Sequence, residues 1–240
     1  MIKLLLTGDD VTVMNDLTQR LQACYASAVH DVLRQMGHDN CVLPSNLIAL
    51  DPTQRLAGEI YTISGHIDRT LSPHQSLLAW AQVLSRVPGG KVLVCQPNTK
   101  DIALMGELSA RALMVKNTLG YVVDGRCRDT DFILEMGFPV FCDLNTPADI
   151  VERWTYDRLG EPITIGTVTI VSGDYLIADR DGIVVISASV CEEAVSQTEQ
   201  VMSTESDMRD AILGGMDPEQ AYLKYRKFNV SCRKRAEVHY

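Results

Sequence analysis

Between residues 56 and 142, short apolar runs alternate with segments of helical periodicity, and this alternation limits the possible folds more than any other feature. We predict four strands here, because each is a short apolar run bounded by Gly, Pro or Asp residues; they lie at residues 56–64, 91–95, 119–123 and 138–142. Apolar residues recur at three-to-four spacing over residues 10–37, 77–84 and 102–117, which predicts helices. Strands that alternate with helices indicate an α/β protein built in layers.

The pattern becomes β-rich from residue 162. Residues 163–165, 168–171 and 182–186 are predicted strands, and a charged helix is expected over residues 189–213. The acidic stretch 173–182 fits no EF-hand loop, and its Asp and Gly residues favour a turn between two strands. We expect a single domain over residues 1–225 and a basic C-terminal tail over residues 226–240.

Composition excludes several classes of protein. The formal charge of -9 over 240 residues argues against a nucleic-acid partner. Seven dispersed cysteines without a C-x-x-C pair argue against a disulfide framework or a zinc knuckle. Without a G-x-G-x-x-G or Walker motif, nucleotide binding has no support. No signal peptide and no bilayer-spanning apolar stretch are recognisable, so we expect a cytoplasmic protein without a membrane partner.

The predicted strand at residues 119–123 leads directly into Asp-Gly-Arg-Cys-Arg-Asp at residues 124–129. Arg128 offers a cationic fork for an anionic substrate, and Asp129 a hard oxygen ligand for a divalent metal. The alternative is a solvated ion pair. Asp124 and Arg126 are predicted turn and surface residues. Cys127 lies between two arginines but has no recognisable base beside it, so we expect it to be a bystander.

A second candidate is a helix start at Gly106, after the predicted strand at residues 91–95. If the helix begins there, the amides of Leu108 and Ser109 are free to bind a carboxylate. The alternative is that Gly106 only allows close packing of the helix against the sheet.

These motifs together resemble one family in their order and spacing. The resemblance covers about residues 20–225 and rests on Gly106-Glu-Leu-Ser109, the Asp124-Gly-x-x-Arg128-Asp129 stretch, Gly137-Phe-Pro-Val140 and the 173–182 segment. The family is RraA-like: it joins the regulator of ribonuclease E activity A to the 4-hydroxy-4-methyl-2-oxoglutarate and 4-carboxy-4-hydroxy-2-oxoadipate aldolases. The resemblance implies a layered β/β/α swivelling-domain fold, assembled as a trimer or a dimer of trimers.

The resemblance also implies a metal-dependent lyase that releases pyruvate from a 2-keto acid and often decarboxylates oxaloacetate. Arg128 would bind the keto and carboxylate end of the substrate and stabilise the enolate. Asp129 would anchor Mg²⁺ or Mn²⁺, largely through waters. Gly106 and the amides of Leu108 and Ser109 would hold the pyruvyl carboxylate.

Two further acidic residues are implied near the metal. Glu107 would lie close to the metal's water shell, and Glu205 would be supplied by a neighbouring subunit. Glu205 is one of several carboxylates on its predicted helix, which also carries Glu199 and Asp207.

Two alternatives remain. The first is a non-catalytic RraA-type protein that inhibits ribonuclease E by protein–protein contact. That branch lacks an aspartate at the position of Asp129, so the presence of both Arg128 and Asp129 favours the catalytic branch. The second is an enzyme of the same fold with another 2-keto acid as its substrate, since Ser109 stands where a leucine is common.

Overall fold

The computed structural model describes residues 15–226. The helices are α1 (Asp16–Ala23), α2 (Ala26–Gln35), α3 (Pro73–Arg86), α4 (Glu107–Val115), α5 (Thr130–Met136), α6 (Cys191–Leu213) and α7 (Pro218–Tyr225). The strands are β1 (Ile48–Ala49), β2 (Leu56–Ile67), β3 (Val92–Gln96), β4 (Ala103–Met105), β5 (Gly120–Val123), β6 (Arg126–Cys127), β7 (Val140–Cys142), β8 (Trp154–Leu159), β9 (Ile163–Ile165), β10 (Val168–Ile170), β11 (Tyr175–Asp179) and β12 (Gly182–Ile186). No helix in this part of the chain is long and apolar enough to cross a membrane.

The main sheet has the strand order β1-β7-β5-β3-β2-β11-β12. Strands β7, β5, β3 and β2 are parallel, while β1, β11 and β12 join the sheet antiparallel. The long strand β2 also pairs with β8 along its second half, where the register shifts between Ser64 and Gly65. Two small pairs lie outside this sheet, the antiparallel β9–β10 hairpin and the parallel pair β4–β6.

The main sheet is covered on both faces, and strand β3 illustrates the layering. Leu93 and Cys95 belong to the hydrophobic cluster shared with helices α3, α4 and α5. Val92 and Val94 point to the other face, in the cluster that contains the β9–β10 hairpin. Because both faces are buried, the strand is a continuous apolar run rather than an alternating one. The chain therefore has the predicted layered β/β/α fold as a single domain.

The predicted helix at residues 10–37 is two helices, and residues 10–14 lie outside the described residues. The helical conformation is interrupted at Cys24 and Tyr25, which separate α1 from α2. The carboxylate of Asp179 accepts a hydrogen bond of 2.8 Å from the amide of Ala26, at the start of α2. A side chain from the distant β11–β12 hairpin thus caps the second helix, which local periodicity cannot reveal.

Two other boundaries differ from the prediction. The predicted helix at residues 102–117 begins only at Glu107, because residues 103–105 form strand β4. Residues 175–179, predicted as part of a turn, form strand β11, and the turn is confined to the link with β12. Asp174 accepts amide hydrogen bonds from Val171 and Ala188, which explains an acidic residue here without a metal. Of the predicted basic tail, residues 227–240 lie outside the described residues.

Candidate active site

The candidate site lies at the carboxyl ends of the paired parallel strands β4 and β6. Met105 pairs with Cys127, and the amide of Arg128 donates a hydrogen bond of 2.9 Å to the carbonyl of Met105. Gly106 follows β4 and Asp129 closely follows β6, and helices α4 and α5 start from these residues. Two helix N-termini therefore meet at one strand edge, where backbone amides and helix dipoles favour anions.

Asp129 adopts an unusual backbone conformation. Its φ of 54° and ψ of 37° lie in the left-handed region, which Asp tolerates better than most residues. Although it occupies the N-cap position of α5, its side chain makes no capping hydrogen bond to that helix. Instead, Oδ2 accepts a hydrogen bond of 3.2 Å from the amide of Glu107, the first residue of α4. The strained backbone thus directs this carboxylate towards the neighbouring helix.

Gly106 leaves the space that this carboxylate occupies. A Cβ atom at Gly106 would lie 2.6 Å from Oδ2 of Asp129 and 3.2 Å from Cγ of Arg128. Its φ of -148° is ordinary extended backbone, so the glycine is required by close approach and not by strain. The alternative given above, that this glycine serves packing against the sheet, is less favoured because the side chains it admits are those of the candidate site.

Arg128 lies between two carboxylates. Its Nε is 3.4 Å from Oδ2 of Asp129, and its Nη1 is 3.5 Å from Oδ2 of Asp149. All three side chains are more than a third exposed, so these ion pairs are screened by solvent and can be exchanged for a ligand.

These residues line one cavity of about 460 Å³. Gly106, Glu107, Leu108, Ser109, Arg128 and Asp129 all contribute to its wall. The amides of Leu108 and Ser109 lie in the first turn of α4, where the helix offers them no acceptor of its own. The structure therefore brings six of the seven predicted site residues together.

Glu205 is the exception. It lies on α6 and is not among the residues that line this cavity. Its carboxylate accepts a hydrogen bond from the hydroxyl of Tyr25, next to α2. Within one chain, Glu205 therefore belongs to a different surface from Arg128 and Asp129.

Ser109 has a defined structural partner. Its hydroxyl accepts a hydrogen bond of 2.8 Å from the indole nitrogen of Trp80 on α3, and Trp80 packs edge-on against Trp154. The serine thus joins the first turn of α4 to α3, and an aliphatic side chain at this position cannot make that contact.

Asp149 is the site residue that the sequence did not predict. It lies in the loop after β7, and its position is fixed because the amide of Ala103 on β4 donates a 2.8 Å hydrogen bond to the carbonyl of Ala148. The amide of Glu152 also donates to the hydroxyl of Ser76 on α3. A signal existed: this acidic residue follows the predicted strand at residues 138–142, as Asp129 follows the preceding one.

Cys127 is fully buried below the site. A hydrogen bond with the Cys142 thiol, together with burial, raises the pKa of Cys127 well above its ordinary value. The thiol therefore stays protonated, which agrees with the prediction that it is a bystander. Asp124 accepts a hydrogen bond of 2.7 Å from Lys100, which anchors the turn before β6.

Carboxylates in the cavity do not form a ready-made cage for a metal. Among residues 15–226, no group of three or more His, Cys, Asp or Glu side chains is arranged to hold an ion. Glu107 is drawn partly towards Arg111, whose Nε donates a hydrogen bond of 2.9 Å to its carboxylate. The hard oxygen donors suit Mg²⁺ or Mn²⁺ bound with several waters better than a fully protein-ligated ion.

Comparison with known proteins identifies one family. The RraA-like (Aldolase/RraA) family model matches residues 26–185. Protein DlpA of Legionella pneumophila is 29% identical over 216 residues, which cover 88% of this chain and 34% of DlpA. A protein of Ectopseudomonas mendocina named "Putative 4-hydroxy-4-methyl-2-oxoglutarate aldolase" is 34% identical over 130 residues, which cover 53% of this chain and 74% of that protein.

Solved structures share the fold. RraAS2 of Streptomyces coelicolor, described as an unusual member of the RNase ES inhibitor RraA protein family, superposes with a TM-score of 0.72 at 28% identity. The match covers 85% of this chain and 99% of RraAS2. By contrast, this chain spans about a third of the length of DlpA, and between a half and two thirds of two further relatives. From the extent of the family match and the shared fold, we conclude that the chain belongs to the RraA-like family.

Proposed function

We propose that this chain is a divalent-metal-dependent carbon–carbon lyase. It cleaves a 2-keto acid of the 4-hydroxy-4-methyl-2-oxoglutarate type to release pyruvate, and it decarboxylates oxaloacetate. The observation that supports this most strongly is that Arg128, Asp129 and the first turn of α4 line the same cavity. Both reactions leave negative charge on a pyruvate enolate, so one arrangement of positive groups serves both.

The pyruvyl group would bind at the start of α4. Its carboxylate accepts hydrogen bonds from the amides of Leu108 and Ser109, next to Gly106. The guanidinium of Arg128 binds the keto oxygen, where the charge of the enolate develops. Because that charge is larger in the transition state than in the ground state, Arg128 stabilises the transition state more and accelerates cleavage.

Asp129 would be the anchor for Mg²⁺ or Mn²⁺, with Glu107 near its water shell. Its exposed carboxylate fits that task, because it is more than a third accessible and is already oriented by the amide of Glu107. When bound, the ion supplies a Lewis acid for the enolate oxygen. The side chains of Trp80 and Phe132 form part of the wall of the same cavity.

We further propose a homotrimer or a dimer of trimers located in the cytoplasm, with one domain over residues 1–225. In such an assembly Glu205 would complete the site of a neighbouring subunit. Light scattering of the purified full chain would measure the oligomeric state. If Glu205 acts across an interface, mixing inactive Glu205→Gln and Asp129→Asn chains should restore part of the activity, whereas a site within one chain predicts no restoration.

A second candidate function has one observation in its favour. RraAS2 shares the fold at 28% identity, and its description places it among inhibitors of a ribonuclease. In that case the chain acts by binding a ribonuclease E and releases no pyruvate.

One experiment separates the two. Pyruvate release is measured from oxaloacetate and from 4-hydroxy-4-methyl-2-oxoglutarate, with Mg²⁺, with Mn²⁺ and with EDTA. Asp129→Asn removes the charge but keeps a residue that tolerates left-handed backbone, and it should lower kcat/KM by about 10²-fold or more. Asp131→Asn, two residues further on and outside the cavity wall, is the matched control and should change little. No metal-dependent turnover on either substrate, together with inhibition of ribonuclease E, would favour the second function.

A further inference from the structure

The hydroxyl of Ser109 is held from one side by a buried donor. Nε1 of Trp80 donates a hydrogen bond of 2.8 Å to Oγ of Ser109, and Trp80 itself is only 7% exposed. An indole nitrogen can only donate, so the serine oxygen accepts and its own proton must point elsewhere. Trp80 packs edge-on against the fully buried ring of Trp154, which keeps the indole in place. The direction of the hydroxyl is therefore set by α3 and the core as well as by α4.

Within the part of the chain that the structure describes, no acceptor takes the proton of that hydroxyl. Ser76 on α3 shows the usual arrangement for a serine inside a helix. Its hydroxyl accepts a hydrogen bond of 3.0 Å from the amide of Glu152 and donates to the carbonyls of Ser72 and Pro73 in the preceding turn. The hydroxyl of Ser109 accepts in the same way but lacks that second contact. Its proton is therefore available to an acceptor that enters the cavity.

The same hydroxyl belongs to the end of α4 that faces the cavity. Ser109 is the third residue of α4, and helical side chains lean towards the N-terminus of their helix. At that end the amides of Leu108 and Ser109 have no acceptor within the helix, and Ser109 and Arg128 line the same cavity. A hydroxyl that accepts from an indole is also a stronger donor, because linked hydrogen bonds polarise one another. A carboxylate at this helix start can therefore accept from the hydroxyl as well as from the amides.

We infer that the hydroxyl of Ser109, oriented by Trp80, is a third hydrogen-bond donor to the carboxylate of the pyruvyl group, a role that rests on the proposed function. Ser109 is then a substrate-binding residue through its side chain as well as its amide, and Trp80 is a positioning residue. This carboxylate stays ionised while the carbon–carbon bond breaks, so the hydroxyl stabilises the bound substrate and the transition state about equally. Loss of the hydroxyl should therefore raise KM and leave kcat nearly unchanged.

Oxalate allows a binding test without turnover, because it is a planar dianion shaped like the pyruvate enolate and is not cleaved. In calorimetric titrations of the full chain with Mg²⁺, Ser109→Ala should bind oxalate about tenfold more weakly, since it loses a hydrogen bond to a charged group. Ser109→Thr keeps a hydroxyl and should restore the affinity to within about threefold. Ser85→Ala, at an exposed position of α3 outside the cavity wall, is the matched control and should leave the affinity unchanged. With oxaloacetate as substrate, Ser109→Ala should raise KM about tenfold while kcat stays within about twofold.

The indole groups provide a second readout, which a purely structural serine would not affect. The chain has two tryptophans, and Nε1 of Trp154 donates to the carbonyl of Pro97 at 3.0 Å. By NMR of protein with isotope-labelled indole nitrogens, oxalate should move the indole proton of Trp80 downfield, because a hydroxyl that donates to an anion is a stronger acceptor. The Trp154 signal should move less, and Trp80→Phe identifies which signal is which. In Ser109→Ala saturated with oxalate, the downfield shift of the Trp80 signal should be lost.

A second pair of variants covers the case in which Ser109→Ala does not fold. That substitution leaves the buried indole N–H of Trp80 without its acceptor, which is costly. Trp80→Phe and the double variant Trp80→Phe/Ser109→Ala both lack this indole donor, and they differ from each other only in the hydroxyl. The double variant should bind oxalate more weakly than Trp80→Phe by about threefold or more.

The outcomes separate this role of Ser109 from the proposed function. Equal affinity for oxalate with and without the hydroxyl, with metal-dependent pyruvate release intact, would overturn the inference and leave the proposed function standing. A downfield shift of the Trp80 signal that persists in Ser109→Ala, or a fall in kcat without a rise in KM, would do the same. Absence of oxalate binding by the unaltered chain, with no pyruvate released from either substrate, would overturn the proposed function as well.

Discussion

Substitution of Gly106 by alanine tests the candidate site most directly. The added Cβ would lie 2.6 Å from Oδ2 of Asp129, whereas ordinary van der Waals contact begins at 3.4 Å. The carboxylate of Asp129 must therefore retreat by about 0.8 Å, and the 3.2 Å hydrogen bond from the amide of Glu107 is lost or distorted.

Activity and stability should respond differently to this change. A displacement of about 1 Å in a catalytic group can cost about 10²-fold in rate, so we expect kcat/KM for pyruvate release to fall by about that factor. The backbone at Gly106 suits alanine, and alanine also restricts the unfolded chain by about 0.4–1 kcal/mol. That gain offsets much of the roughly 1 kcal/mol lost with one partly exposed hydrogen bond, so Tm should change little.

The assay follows pyruvate by its reduction with NADH and lactate dehydrogenase, and thermal unfolding is measured on the same samples. Gly214→Ala is the matched control: its φ is -74°, and its Cβ would meet the carbonyl of Asp210 at 3.3 Å, away from the cavity. If Gly106→Ala folds normally and keeps kcat/KM within threefold of the unaltered chain, the position of Asp129 is not required for the reaction, and the mechanism proposed for Asp129 is wrong.

Three further predictions use other parts of the chain. Arg128→Lys keeps the charge but loses the planar fork, so kcat/KM should fall by about 10²-fold or more, whereas Arg34→Lys on the surface of α2 should have no effect on it. Leu108→Pro removes an amide donor in the first helical turn, where proline is tolerated, and should raise KM at least tenfold. Leu108→Ala keeps that amide and changes only a side chain that is 80% exposed, so it should leave KM unchanged. Burial raises the pKa of Cys95 to about 12, so the folded state retains a proton that the unfolded chain loses above about pH 8.5. The free energy of unfolding should therefore fall as the pH rises from about 8.5 towards 12, and Cys95→Ala should make that fall less steep in urea titrations; an unchanged slope would contradict the assignment.

Local patterns predicted most of the fold. The strands around Val92, Gly120 and Val140 were recognisable because both faces of a central parallel strand are apolar. Strand β4 was not predicted because its three apolar residues directly precede a helix and also fit the three-to-four spacing of that helix. Strand β8 is an edge partner of β2 in which Thr155 and Asp157 interrupt any apolar run, so its pairing with β2 is visible only in three dimensions.

In the candidate site too, some features are visible in the local sequence and others only in the folded structure. Arg128 and Asp129 are adjacent in sequence, and Gly106 marks a helix start, so local chemistry was enough to single them out. Asp149 comes to Arg128 through a main-chain hydrogen bond between its loop and β4. Its place after a predicted strand is a weak signal, because Asp143 follows the same strand and does not pair with Arg128 in the described ion pairs. Residue type and order therefore identify candidates that are adjacent in sequence more readily than a partner such as Asp149, which the fold brings to them.

The arrangement of the two helices accounts for the small number of side chains that the proposed mechanism requires. Helices α4 and α5 both begin at the carboxyl ends of the paired strands β4 and β6, so their amides and dipoles converge whatever side chains follow. In the proposed mechanism the backbone would therefore supply part of the attraction for an anion, and Arg128 and Asp129 would add the guanidinium and the metal anchor. The wall that α3 contributes to the same cavity is separate from these helix starts, so its side chains can differ without changing the backbone amides that the proposed mechanism uses.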